Sequence, residues 1–255
     1  ERLLEMVVTA NQTGAQLYPQ VSSRPIGLAS GLSGYHAFQR RPTYMKLAHL
    51  SLADRAREMA KPEIKAAIMS ETDVLVDQPG SMANMYQLFQ TAAMFLYPLA
   101  DPVDYEPDPS EMLGSRAAAT GQDVLDLLYD YLLEQDGAAM CALMGGPNVH
   151  DSQEVLRKML IHSETVTGLS DAGAHVTLIC DATMPTTQLT FWARDRHKGE
   201  RLPLEFLVAK QTARNADLYG LNDRGRLAVG LRADINVIDF ESLGFDNPKV
   251  VFDLP

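Results

Sequence analysis

The amino-acid sequence predicts an α/β fold assembled from parallel strand–helix units. Apolar runs of strand length alternate with segments whose apolar residues recur at helical spacing, and that alternation is how parallel sheets are built. A second observation sets a limit. A closed eight-stranded barrel takes about 250 residues, yet these 255 residues give only three or four convincing strand–helix units before a β-like tail begins near residue 223. The units amount to too little barrel for the length of the chain, the rest being long excursions and, from about residue 223, a small β element.

Each element has its signal. Leu3, Leu4, Val7 and Val8 share one helical face, and Gly14 follows it. AQLYPQV (15–21) reads as a strand, and the Ser/Gly-rich SSRPIGLASGLSGY as the loop after it, a segment type that carries sites. Residues 51–64 and 82–95 have helical spacing, with a strand expected between them at TDVLVD (72–77). Prolines and acids mark 97–111 as a surface excursion. DVLDLLYDYLLEQ, entered through Thr120 and Asp123, has a capping-box-like helix start. AAMCALMGG (138–146) reads as a buried strand or apolar turn, SQEVLRKMLIH as a helix opened by Asp151 and Glu154, and TVTGLS as a strand. Pro203 and Gly220 bracket a helix over PLEFLVAKQTARNADLYG. In the tail, Gly225 and Gly230 are turn points before a strand at 233–240.

Composition excludes several classes. The formal net charge is −11 and the arginines are scattered, so no basic stripe offers itself to nucleic acid. No run of 18 apolar residues exists to span a membrane. Cys141 and Cys180 form neither a C-x-x-C motif nor a disulfide framework, which makes a reducing cytoplasm the expected compartment.

The informative stretch is TVTGLSDAGAHV (165–176). It leaves an apolar run and at once presents Asp171 and His175 among Ala172, Gly173 and Ala174. In parallel β/α folds, functional groups sit where a strand ends and its loop begins. Asp171 there could hold a divalent metal, shuttle a proton, or do both. From the hexapeptide alone, a turn-capping aspartate and a satisfied core histidine fit equally well.

The tail weighs on that choice. GLSDAGAH (168–175), LPLEFLVAKQTARNADLYGLNDRGRLAVG (202–230) and LRADINVIDF (231–240) stand in an order and spacing that resemble the amidohydrolase superfamily, within it the N-acyl-D-amino-acid deacylase (D-aminoacylase) group. The resemblance is to the C-terminal half of such enzymes. It implies the C-terminal part of a (β/α)8 metal-dependent hydrolase barrel over 1–222 with a long insertion at about 25–160, and the start of a small β-sandwich over 223–255, using one or two divalent metals, usually zinc, to hydrolyse an amide. The substrate class implied is a small-molecule N-acyl amino acid. Asp171 matches the family's catalytic aspartate, as proton shuttle and metal contact. The other ligands belong to earlier strands and have no counterpart: there is no His-x-His, and His36, His49, His150, His162 and His197 stand isolated. The zinc ligands are expected outside this chain, which alone is expected to be inactive, and a homo-oligomer or a missing N-terminal half would complete it.

Three further residues are candidates for substrate contact. Tyr18 and Arg24 sit on and just after an early strand, where they could grip a substrate carboxylate, although packing and a salt bridge account for them equally well. His175 could contact substrate or buttress its loop. Two alternatives stay open: a cyclic-amide hydrolase or deaminase of the same superfamily, and a structural half-barrel without catalysis.

Overall fold

The computed structural model describes residues 2–78, 80–145, 152–168, 170, 177–179 and 181–251, and these form a mixed α/β structure. Helix α1 covers Arg2–Gln12. The Asn11 side chain closes the turn after it, donating to Leu17 O and accepting from Leu17 N–H. Of the strand expected at 15–21, only β1 (Gln20–Val21) pairs. β2 (Ile26–Gly31) follows, so the segment expected to be a loop is partly a strand. Its small residues suit a crowded sheet position: a Cβ on Gly31 would lie 3.0 Å from Met140 Cγ.

Helices α2 (Pro42–Leu47), α3 (Leu52–Met59) and α4 (Pro62–Ser70) come next. The helix expected over 51–64 is two helices. Proline cannot donate to a preceding turn but suits a first helical position, so Pro62 starts α4 instead of continuing α3. The strand expected at 72–77 does not form among the described residues. Its backbone is engaged elsewhere: Val74 N–H donates to Arg40 O, while the Asn84 side chain brackets Val76.

After α5 (Tyr86–Thr91) and the short β3 (Leu96–Pro98) come α6 (Leu113–Thr120) and α7 (Val124–Leu132). Gly121 ends α6 in the left-handed region (φ 72°), where a side chain would be strained. α7 is capped by Asp123, which accepts from Leu125 and Asp126 N–H, and not by Thr120 of the expected capping box, which is the last residue of α6. β4 (Met140–Gly145) is the strand expected at 138–146. Then come α8 (Glu154–Ile161), β5 (Val166–Thr167) and α9 (Met184–Thr190), which runs into a π-helical turn at Phe191–Asp195. The single helix expected over 203–220 is broken at Thr212 into α10 (Leu204–Gln211) and α11 (Ala213–Leu218).

Residues 221–251 contain no helix or strand, which corrects the strand expected at 233–240. A strand needs an edge to pair with, and none of the described strands pairs with this segment. Instead the Arg194 guanidinium pins it by donating to the carbonyls of Phe240, Glu241 and Leu243.

The chain divides into two compact units. One comprises residues 27–145, 173–180 and 247–255. Its three-stranded sheet has the order β2–β4–β3, with β3 and β4 antiparallel. Phe38, Phe89, Leu96, Leu128, Tyr129 and Leu132 lie in its apolar core. His36 is buried there, edge-on to Tyr44 at 4.4 Å, with Nδ1 accepting from Phe38 N–H. Burial, aided by the Arg55 charge, pulls its pKa down to about 3, so it is a neutral core histidine. The other unit comprises residues 1–26, 146–172 and 181–246. It buries Trp192, Leu156, Leu160 and Leu207 beside Arg24, Asp181, Gln188, Arg196 and Lys210. No helix among the described residues is long and apolar enough to cross a membrane.

Candidate functional site

In the second unit, β1 and β5 run parallel, with Gln20 opposite Val166 and Val21 opposite Thr167. Both strands therefore end at the same side. Val166 N–H donates to Pro19 O, and Gly168 N–H donates to Val21 O. Glycine is required at 168, because a Cβ there would come within 2.8 Å of the Gln20 side chain and push the strands apart.

A cavity of about 220 Å³ opens at this side. Ser23 borders it beyond β1, Thr167, Gly168 and Ser170 at the end of β5, and Pro185, Gln211 and Asn215 from the helices. Gln188 donates to Thr167 Oγ1 and orients that hydroxyl. The wall thus offers hydroxyl and amide groups, able to donate and accept hydrogen bonds to a neutral polar ligand.

Polar contacts, buried at Ser23 and Arg24 and exposed at Ser170, fasten the surroundings. Ser23 Oγ donates to Met184 O at 2.6 Å, and Trp192 Nε1 donates to Ser23 O at 2.6 Å. Ser170 Oγ donates to Ala182 O at 3.2 Å. Arg24, only 2% exposed, pairs with Asp181, 1% exposed, at 2.8 Å, and its other Nη donates to Thr183 Oγ1. At the opposite end of β5, Lys210 donates to His162 O and Thr165 Oγ1. Burial, with the Arg214 charge, lowers the Lys210 pKa to about 8.

The residues singled out by sequence separate here. Asp171 and His175 lie outside the described residues, as does Cys180. Tyr18 precedes β1 whereas Ser23 follows it, so Tyr18 sits at the other strand end from the cavity, beneath the Arg214 guanidinium at 5.4 Å. Arg24 lies at the cavity's end of β1, but its charge is turned inward to Asp181, which is the salt-bridge reading of that residue. Sequence reasoning missed Ser23, Thr167, Gln211 and Asn215. Ser22-Ser23 directly after a strand was the available signal; the helix break that presents Asn215 had none.

Among the described residues, no group of three or more His, Cys, Asp or Glu stands together that could hold a metal. His49 and His197 are exposed, and His162 accepts from Glu164 N–H through Nδ1. The described donors therefore do not supply a divalent metal with a ligand set.

Comparison with known proteins adds two findings. A family model described as the amidohydrolase family matches residues 5–253. The N-acyl-D-glutamate deacylase of Alcaligenes xylosoxydans xylosoxydans is 52% identical over 46 residues, which is 18% of this chain and 9% of that enzyme. No solved structure matches the chain.

Proposed function

The chain belongs to the amidohydrolase family, and from that premise we infer that it hydrolyses a carbon–nitrogen bond, removing the acyl group from an N-acyl-D-amino acid. The observation that carries the reading is the cavity at the shared end of β1 and β5. It lies where parallel β/α folds bind substrate, and Ser170, on its wall, directly precedes Asp171 in sequence. The name of the partial relative favours an N-acyl-D-amino acid.

In this reading residues 1–222 are the C-terminal part of a (β/α)8 barrel with a long insertion at about 25–160. That residues 27–145 belong to a compact unit of their own supports the second point. Asp171 takes a proton from the attacking water and returns it to the leaving nitrogen. Thr167, Ser23, Gln211 and Asn215 hydrogen-bond the neutral amide. The family's divalent metal, zinc in this reading, needs further ligands beyond the described residues, with Asp171 as one contact.

The test is Asp171→Asn in the full protein, assayed on a panel of N-acetyl-D-amino acids, hydantoins and purines. The isosteric amide cannot accept the proton, and general acid–base groups contribute around 10²–10⁴-fold. Turnover should fall by at least about 10²-fold with the fold intact, and the panel should be selective for N-acetyl-D-amino acids. Undiminished turnover would remove Asp171 from the chemistry. A second measurement concerns the metal: catalytic zinc normally takes three protein ligands. The isolated 255-residue chain, equilibrated with zinc and then desalted, should retain no stoichiometric metal by elemental analysis.

A further inference from the structure

The Arg24–Asp181 pair is costly to bury, and nothing in the catalytic reading yet uses it. Two charges taken out of water lose hydration that their attraction repays only with good geometry, and an apolar pair of similar volume is often as stable. What an ion pair supplies beyond stability is direction. Arg24 Nη1 reaches Asp181 Oδ1 at 2.8 Å and Pro25 O at 3.1 Å, while Nη2 reaches Thr183 Oγ1 at 3.1 Å. The guanidinium thereby fixes the turn after β1 against the segment that begins at Asp181.

The neighbouring bonds fasten the same two pieces. Ser23 Oγ holds Met184 O, and Trp192 Nε1 holds Ser23 O. Ser170 Oγ holds Ala182 O. Ser170 and Asp181 are the residues at which the chain enters and leaves 171–180. Both are tied to one small framework, and Ser23 and Ser170 also line the cavity.

We propose that Arg24 and Asp181 are positioning residues for catalysis: their buried ion pair, with Thr183, fixes the framework from which Asp171 departs one residue after Ser170. The inference rests on the reading of Asp171 as the proton shuttle. Such a group must lie within hydrogen-bond reach of the proton that it takes, and a misplacement of about 1 Å can cost about 10²-fold in rate. The ion pair therefore acts on kcat more than on KM, because the cavity-lining Ser23 and Ser170 keep their own bonds to Met184 O, Trp192 Nε1 and Ala182 O when the pair is removed.

The test uses the full protein and four variants beside Asp171→Asn. Breaking a buried pair on one side leaves an uncompensated charge and can unfold the protein, so Arg24→Met alone is not sufficient. Arg24→Met/Asp181→Leu replaces both partners by apolar groups, and Thr183→Val removes only one acceptor. With the chain folded by circular dichroism, the double variant should lose about 10- to 100-fold in kcat with KM within about twofold of wild type. Thr183→Val should lose less, and Arg24→Lys should recover part of what Arg24→Met loses. A folded double variant with wild-type kcat would overturn the proposal, as would kcat losses that merely follow the melting temperatures. Asp171→Asn separates the two levels. If it is inactive while the double variant is fully active, the positioning role alone fails; if it keeps wild-type activity, the proton-shuttle reading fails and the positioning role with it.

Discussion

Two apolar runs of similar character meet opposite fates. MCALMG at 140–145 becomes β4, hydrogen-bonded on both sides in the order β2–β4–β3, with Cys141 fully buried. INVIDF at 235–240 is apolar at four positions, three of them β-branched, yet it forms no strand, and Val237 is 98% exposed. Their own residues do not separate them. β-propensity reports how a side chain fits a half-buried pleated surface, and only the first run has such a surface on both edges. A strand is a property of a pairing, and the pairing partner is not written in the strand.

The largest way to break this comparison is to truncate a leucine packed opposite the first run and a valine within the second. Leu96 of β3 stands opposite Leu143 of β4 and is fully buried. Leu96→Ala should destabilise by about 2–5 kcal/mol through lost burial and a cavity. Val237→Ala should stay within about 0.5 kcal/mol, as exposed positions do. Urea midpoints measure both, and a comparable loss at Val237 would show the tail to be packed.

A second effect concerns a buried cation that does have partners. The folded pKa of Lys210 is about 8, below its ordinary 10.5. Between those values the unfolded chain binds more protons, so stability rises with pH. Cys141, Tyr129 and Tyr131, whose pKa values burial raises, work the other way once the unfolded thiol ionises near pH 9 and unfolded tyrosine near pH 10. The comparison is therefore made with Lys210→Met, which shares those groups, over pH 8 to about 9.5. The wild type should gain in melting temperature across that range relative to the variant, whereas parallel curves would place the Lys210 ammonium in water.

A smaller effect sharpens the contrast at the tail. Leu227, Val229 and Val237 are exposed, and exposed apolar, β-prone segments invite self-association. Val229→Ser/Val237→Ser should leave the urea midpoint unchanged and reduce higher-order species in sedimentation velocity at high concentration. The smallest effect belongs to the Arg226–Asp217 pair, about half exposed on both sides. Arg226→Gln should lower the urea midpoint only marginally, and not measurably in 1 M salt.

The same distinction governs what the sequence made legible. Local chemistry was readable: the helix start near Asp123 and the buried run of β4 both act within a few residues. Pairing was not. TDVLVD looks like a strand, but Arg40 and Asn84 engage its backbone from elsewhere. IGLASG looks like a loop, yet its small residues fit where Met140 approaches. Helix α9 went unread because its turns at 184–195 carry no clear apolar stripe; Thr187, Gln188 and Thr190 are buried there beside Leu189 and Trp192. At the site, the family pattern pointed to Asp171 by motif, while Ser23, Gln211 and Asn215 converge only once the chain has folded. Arg24 was legible as a charge near a strand end, and its commitment to Asp181, 157 positions away, was not.

The indole that donates to Ser23 O belongs to the only tryptophan in the chain, and it stacks against the Arg196 guanidinium at 4.8 Å. Of the nine tyrosines, all but Tyr18 and Tyr219 fall within residues 27–145. Each unit thus carries its own chromophore. Emission excited selectively through the indole follows the unit that holds the cavity, and near-ultraviolet tyrosine signals follow mainly the other. One denaturation series can then read two melting curves from unlabelled protein. Their midpoints separate if the units unfold independently and coincide if they share a single cooperative transition.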